Sequence, residues 1–122
     1  MIKEINSLAL AFLGDTIYED YVREYLIKKG IANVNELQTE SIKYSSAKAQ
    51  CEIVKRLIDE DFFSNEELEI IKRARNHKGN SHPKNCDIVT YKYATGLEAL
   101  IGYLKLDNNI NRIEEIMKNI LI

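Results

Sequence analysis

The sequence has little of the residues that mark fibrous, disordered or disulfide-stapled proteins. Its 122 residues include one proline, five glycines, two cysteines and no tryptophan. This scarcity excludes collagen-like and low-complexity chains, and an apolar share of 45% with 30% charged residues is typical of a globular protein. Cys51 and Cys86 form no CxxC pair, so we expect two reduced thiols in a cytoplasmic protein rather than a disulfide framework.

Long apolar runs are also absent. No stretch approaches the roughly 20 continuous apolar residues of a membrane span, and the first residues lack the pattern of a secretion signal. We therefore expect no membrane association. The length favours a single domain over residues 1–122, which is long enough to bury its own core.

Apolar residues recur at helical spacing, and no segment alternates as a strand does, so we predict an all-α, single compact domain of roughly five to seven helices. Asn6 or Ser7 is predicted to cap a long first helix that ends at Gly30. Ser64 and Glu67 form a capping box for a helix that we expect to end close to Lys78 and Gly79. The other predicted caps are Asn33 or Asn35, Ser45 or Ser46, and Asp87.

Two carboxylates occupy helix faces that otherwise carry apolar residues. Asp15 shares a face with Leu8 and Tyr18, and Glu98 repeats the pattern beside Ile101. A buried carboxylate needs a positive side chain, a raised pKa or a cation. An ion pair with Arg23 or Lys48 would satisfy each acid. The alternative is that the two acids meet across packed helices and hold Mg²⁺.

Two further acids are weaker candidates for that site. Glu19 follows Asp15 by one turn and could reach the same ion through a water, although a solvated helix-face role is more common for such a glutamate. Asp87 lies eleven residues before Glu98, roughly 16 Å along a helix, so an N-cap role suits it better than direct binding of the same ion.

Positive charge is concentrated in one segment of an otherwise acidic chain. Residues 72–84 have a formal charge of +5, while the whole chain has −2. The end of a helix attracts some cations through its dipole, but the segment continues beyond it, which favours a surface that binds backbone phosphates. It contains no Tyr, Phe or Trp, so duplex binding is favoured over single-strand stacking. The predicted RNA-binding residues are Lys72, Arg73, Arg75, His77, Lys78, Lys84 and Asn85.

The sequence lacks the motifs of other common classes of enzyme and of zinc sites. The sequence contains no GxGxxG, GxxxxGK[ST], HExxH or GxSxG pattern, and His77, His82 and Cys86 do not supply four zinc ligands at finger spacing. The roles of Cys51 and Cys86 stay open.

Several stretches resemble the ribonuclease III family. Residues 6–15, NSLALAFLGD, look like the family's first signature, and residues 97–103, LEALIGY, look like its second. The short bacterial form without a double-stranded-RNA-binding domain, Mini-ribonuclease III, is the most similar subgroup. Similarity to it extends to residues 45–50, 73–76 and 83–91, and so covers nearly the whole chain.

The resemblance implies a cytoplasmic, homodimeric, Mg²⁺-dependent endoribonuclease. It would cut double-stranded RNA, with 23S ribosomal RNA precursor as the substrate, and leave 5′-phosphate and 3′-hydroxyl ends. The family's catalytic, metal-binding acids fall on Asp15 and Glu98. Ala11 and Thr95 stand where longer members carry additional acids, so the number of ions in the site stays open.

Two other functions are compatible with the sequence. A catalytically inactive ribonuclease III-like protein would bind duplex RNA without cutting it, and Ala11 and Thr95 favour this reading. A helical protein-interaction module would use the apolar start of the first helix as its docking surface, because that segment has no polar face.

Overall fold

A computed structural model describes residues 1–78, 84 and 86–122 of the chain. Within these residues the protein is all-α, as predicted, and no strand is present. A short 3-10 turn, Ile2–Glu4, precedes the helices. The six helices are α1 (Ser7–Lys28), α2 (Val34–Ser45), α3 (Ala47–Asp59), α4 (Asn65–Arg75), α5 (Ile88–Leu106) and α6 (Ile110–Ile120).

The helix starts agree with the predicted caps. The Asn6 side chain accepts a hydrogen bond from the Leu8 amide at 2.7 Å, and Asp87 accepts one from the Thr90 amide at 2.9 Å. Ser64 and Glu67 form the reciprocal capping box. These side chains satisfy amides at the helix start that have no partner within the helix, which is why their positions are readable from the sequence.

The predicted end of α4 is wrong. The helix stops at Arg75, before Lys78 and Gly79, and Asn76 is its C-cap. The His77 amide bonds to the Ala74 carbonyl three residues back, so the last turn tightens and the helix does not continue. His77 and Lys78 therefore follow the helix rather than lie on it.

Helix α5 forms the centre of the fold. It packs against α1, α3, α4 and α6, and its residues 94–104 are buried apart from Glu98, which is half-buried. Its second half is apolar on nearly every side, as expected for a helix enclosed by others. In the part of the chain that the structure describes, no helix has the length and apolar character needed to span a bilayer.

Helices α1 and α5 cross with their backbones in contact. A Cβ atom added at Gly14 would lie 1.7 Å from the Glu98 carbonyl oxygen, and one added at Gly102 would lie 1.9 Å from the Leu10 carbonyl oxygen. Only glycine leaves room for this approach, because any side chain would overlap the opposite backbone. The crossing places Asp15 next to Glu98.

A buried ion pair connects α4 to α6. Arg112 Nε and Nη2 donate to the two Glu67 carboxylate oxygens, each at 2.8 Å, and Nη2 also donates to the Phe62 carbonyl at 2.9 Å. Burial alone would raise the pKa of Glu67, but the hydrogen bonds from Arg112 and Ser64 outweigh it and lower the pKa below its usual 4.5. The stabilisation is thus present above pH 4.5 and declines as the pH falls through the folded-state pKa.

We expect Arg112→Ala to destabilise the protein by about 3 kcal/mol, because it leaves the buried Glu67 carboxylate without its cationic partner. Urea unfolding at neutral pH measures this loss. Arg23→Ala is the matched control: it removes an exposed pair with Glu19, with N···O 3.1 Å, and should cost less than about 1 kcal/mol. Equal losses in the two variants would contradict the assignment.

Candidate active site

The two acids singled out in the sequence meet at the crossing of α1 and α5. Their carboxyl groups are close enough to interact, although 83 positions in sequence separate Asp15 from Glu98. The predicted burial of Asp15 is wrong: its side chain is exposed, whereas Glu98 is half-buried. Asp15 lies at the rim because Gly14, not Asp15, faces the α5 backbone at closest approach.

The proton affinity of Glu98 is strongly perturbed. Burial raises its pKa, and the hydrogen bond to Asp15 and the charge of that carboxylate raise it further, to about 8. Two carboxyl groups held this close cannot both ionise without a counter-charge. At neutral pH the pair therefore retains a proton that a cation would replace.

Gln50 is a member of the site that the residue patterns did not single out. Its side chain is 2% exposed, and Nε2 donates to Glu98 Oε2 at 3.2 Å. This bond fixes one oxygen of Glu98 and opposes the rise in its pKa. Gln50 belongs to the stretch 45–50 that resembles the family, but no residue pattern connected it with Glu98, because 48 positions separate the two partners.

Tyr18 lies on the inner side of the acid pair. It is fully buried, and its hydroxyl donates to the Tyr44 carbonyl at 2.6 Å. Burial, followed by the charges of Glu98 and Glu19, raises the pKa of Tyr18. The phenol therefore stays neutral and keeps donating, and the bond holds the end of α2 beside the site.

The remaining candidate acids have other partners. Glu19 pairs with Arg23 at 3.1 Å, although its charge still contributes to the raised pKa of Glu98. Asp87 caps α5, as predicted, and its second oxygen accepts from the Thr90 hydroxyl at 2.9 Å. Across the described residues, the ion pairs predicted as the alternative for Asp15 and Glu98 do not form.

Ala11 and Thr95 add no ligand to the site. Both side chains are buried, and the Thr95 hydroxyl donates to the Tyr91 carbonyl of its own helix at 2.9 Å. Within the described residues, no group of three or more Asp, Glu, His or Cys side chains is placed to hold a metal. Both cysteines are free, as expected: Cys51 is buried and Cys86 is half-buried.

The acid pair fits Mg²⁺ as a partial ligand set. Mg²⁺ takes hard oxygen ligands, keeps several waters and binds proteins through one or two carboxylates together with a substrate phosphate. Asp15 and Glu98 supply two such carboxylates, and one of them is open to solvent. Asp15 and Glu98 would thus hold the ion at the surface, where a phosphate can approach.

The predicted basic surface is divided between two sides of α4. Arg73 and His77 line one groove with Lys3 and Glu66. Arg75 lines another, with Tyr93 of α5. Lys72 lies between them and lines both, while Lys78 and Lys84 are exposed beyond the helix. Asn85, the last predicted RNA contact, lies outside the described residues.

Arg73 binds other parts of the chain. Its Nη2 donates to the Ile5 carbonyl at 2.9 Å, its Nε donates to the Ser7 hydroxyl at 3.2 Å, and its Nη1 donates to the Lys3 carbonyl. The guanidinium thus holds the N-terminal turn against α4. The linear charge pattern could not reveal this, because these partners lie 66 to 70 positions away.

Comparison with known proteins finds a matching family, similar sequences and a similar structure. Residues 8–109 match the ribonuclease III domain family. The chain is 43% identical over 113 residues to Mini-ribonuclease 3 of Streptococcus pneumoniae, covering 93% of this chain and 88% of that protein. It is 46% identical over 113 residues to Mini-ribonuclease 3 of Brevibacillus brevis, covering 93% and 83%. A crystal structure of a Fusobacterium nucleatum protein superposes with a TM-score of 0.86 at 35% identity, covering 98% of this chain and 94% of that one.

The helical fold and the family match are those of an endoribonuclease. The chain belongs to the ribonuclease III family, and its similarity to Mini-ribonuclease 3 proteins extends over nearly its whole length.

Proposed function

We propose that this endoribonuclease cuts double-stranded RNA with Mg²⁺ at the Asp15–Glu98 pair, leaving 5′-phosphate and 3′-hydroxyl ends. The observation that carries the proposal is the contact of these two carboxyl groups at the glycine crossing, one exposed and one half-buried. We also propose that residues 1–122 form one catalytic domain, and that its substrate in a bacterial cytoplasm is the 23S ribosomal RNA precursor.

Each residue of the proposed site has a separate role. When bound, Mg²⁺ supplies Lewis-acid chemistry, lowering the pKa of a water and neutralising phosphate charge. Asp15 presents a carboxylate at the exposed rim, and Glu98 presents the second from the half-buried side. Gln50 fixes the orientation of Glu98, so the carboxylate does not have to be ordered when substrate arrives.

The RNA backbone is bound by cations of α4 and of the segment that follows it. Lys72, Lys78 and Lys84 are exposed, and Arg75 reaches the surface beside α5. These side chains, with His77 and Asn85, would contact phosphates of the duplex. Arg73 would support this surface by anchoring the N-terminal turn.

The active form is proposed to be a homodimer. Phe12 is 81% exposed on α1, in the segment whose apolar start has no polar face, while Leu10 on the opposite side is buried. An exposed aromatic side chain in such a segment suits burial against a second copy of the chain. Two-fold symmetry would then present one acid pair to each strand of the duplex.

Cleavage of a labelled duplex RNA, with Mg²⁺ and with EDTA, tests the proposal. We expect Mg²⁺-dependent cutting, product ends that accept a label only after phosphatase treatment, and a dimer in sedimentation. Matched single-stranded RNA should be cut much more slowly.

Two outcomes would overturn the nuclease proposal. Salt-sensitive binding of the duplex without cutting would favour an inactive RNA-binding protein. Neither cutting nor binding at low salt, where phosphate contacts are strongest, would favour a helical interaction module.

A further inference from the structure

Two cations of different helices converge on one aromatic ring. Lys55 Nζ of α3 lies 4.9 Å from the ring centroid of Tyr93, and the Arg75 guanidinium carbon of α4 lies 5.0 Å from the same centroid. Arg75 Nη1 also donates to the Tyr93 hydroxyl at 3.2 Å. We call these three residues the Tyr93 cluster. It adds an aromatic side chain to the basic surface, which the 72–84 segment alone does not contain.

The cluster has an excess of positive charge. Within the described residues, neither Lys55 nor Arg75 forms an ion pair. Asp59 lies four residues after Lys55, the spacing at which Arg56 and Glu60 pair at 3.2 Å on the same helix, yet Lys55 points to Tyr93 instead. One cation on a ring is stabilised by the negative face of the ring, whereas a second cation repels the first. A bound anion would offset the positive charge of the two side chains.

A groove of about 240 Å³ adjoins the cluster. Its walls are Lys72, Arg75 and Tyr93, its base is apolar, and among the described residues no acidic side chain lines it. The apolar residues of the base are Ile58, Leu68 and Ile71. Cationic walls without a carboxylate favour an anion over a cation or a neutral ligand.

The position of the cluster relates it to the acid pair. Helix α3 carries Gln50, which contacts Glu98, and Lys55 follows five residues later, roughly 7.5 Å along the axis. Lys55 therefore lies less than two turns along α3 from Gln50, the residue that contacts Glu98.

We propose that the Tyr93 cluster binds a backbone phosphate of duplex RNA next to the one that is cut. Arg75, which lines the groove, donates to the phosphate oxygens, Lys55 adds a second positive charge at the Tyr93 ring, and Tyr93 is a positioning residue that contacts both cations. This extends the RNA-binding surface from α4 onto α3. The inference rests on the proposed function.

Lys55→Gln tests the cluster. Lys29→Gln is its matched control, because Lys29 Nζ lies 5.2 Å from the ring centroid of another tyrosine, Tyr25. No second cation among the described residues lies over that ring. Duplex RNA binding is measured in EDTA by fluorescence anisotropy over a series of salt concentrations. We expect Lys55→Gln to weaken binding and to reduce the slope of log affinity against log salt by about one. Lys55→Arg should restore most of the affinity, and Lys29→Gln should match wild type.

Tyr93→Leu distinguishes the positioning role of the Tyr93 ring from the contribution of the two positive charges. It removes no cation, so we expect weaker binding with a salt slope close to that of wild type. Melting temperatures of all variants show whether each is folded. If Lys55→Gln binds duplex RNA as tightly as Lys29→Gln does, while wild type binds and cuts the duplex, the proposed role of the Tyr93 cluster is wrong. The proposed nuclease function then stands. Absence of duplex binding by wild type would overturn the cluster and the proposed function together.

Discussion

Replacing Glu98 by glutamine is expected to abolish cleavage and, in metal-free protein, to raise the melting temperature. The amide keeps the size of the side chain but removes one of two anionic ligands. We expect activity to fall by more than the 10–100-fold that follows loss of a group supporting a metal ligand. Single-turnover cleavage of duplex RNA in Mg²⁺ measures this loss.

The gain in stability should depend on pH. The pKa of Glu98 is about 8 in the folded chain and 4.5 in the reference state. Between these values the unfolded chain loses its proton while the folded chain keeps it, so wild-type stability falls as the pH rises. Glu98→Gln lacks this decline. Its advantage should be near zero at pH 4.5 and reach on the order of a few kcal/mol above pH 8, because each pKa unit corresponds to about 1.4 kcal/mol.

Glu19→Gln is the control for this pair of measurements. It removes a neighbouring acid that pairs with Arg23, so cleavage and its pH dependence should change little. Wild-type cleavage by Glu98→Gln would contradict the proposed role of Glu98. A stability gain of the same size at every pH would instead show that the effect does not come from titration of this carboxyl.

Gly14→Ala and Gly102→Ala should have the largest effects on folding. The added methyl groups would lie 1.7 Å and 1.9 Å from carbonyl oxygens of the opposite helix, well inside contact distance. Backbone atoms cannot rotate away as a side chain does, so the helices must separate. We expect each change to destabilise the protein by more than about 4 kcal/mol, although alanine in a helix interior ordinarily stabilises by up to about 1 kcal/mol.

Gly96→Ala provides the comparison within the same helix. Its Cβ would lie 3.0 Å from the Ile71 Cγ2 atom and 3.1 Å from the Ile71 carbonyl oxygen, an approach that a small local shift relieves. Urea unfolding of the three variants should separate Gly96→Ala clearly from the other two. If Gly102→Ala unfolds within about 1 kcal/mol of Gly96→Ala, the backbones are not in the contact described.

Features set by neighbouring residues were predictable from the sequence. The caps at Asn6, Ser64 and Asp87 depend on amides two or three positions away, and all three were identified. The end of α4 was placed too late, because charged residues continue through Lys78 without a proline or glycine to mark the stop. Helical spacing also predicted which two acids share the site, since each interrupts an apolar face.

Features set by distant residues were not predictable in the same way. The exposure of Asp15 depends on which residue of α1 lies directly against α5. Helical periodicity predicts which face of α1 is buried, but not whether a residue at the edge of that face is buried or exposed. Gln50 and Tyr93 have no chemical signal until the helices pack. Arg73 was predicted to contact RNA from its charge, but its guanidinium reaches back to the N-terminal turn.

The close crossing of α1 and α5 at Gly14 and Gly102 also determines which parts of the protein unfold locally. Helix α2 has no fully buried residue, whereas α5 is enclosed along its second half, so α2 is the helix that opens most readily by local fluctuation. The amides around Gly14 and Gly102 lie where two backbones touch, and only unfolding of the whole core would expose them to hydrogen exchange. The spacing of the two carboxylates is thus insulated from motion in the outer helices, and a loosened α2 would leave that spacing in place.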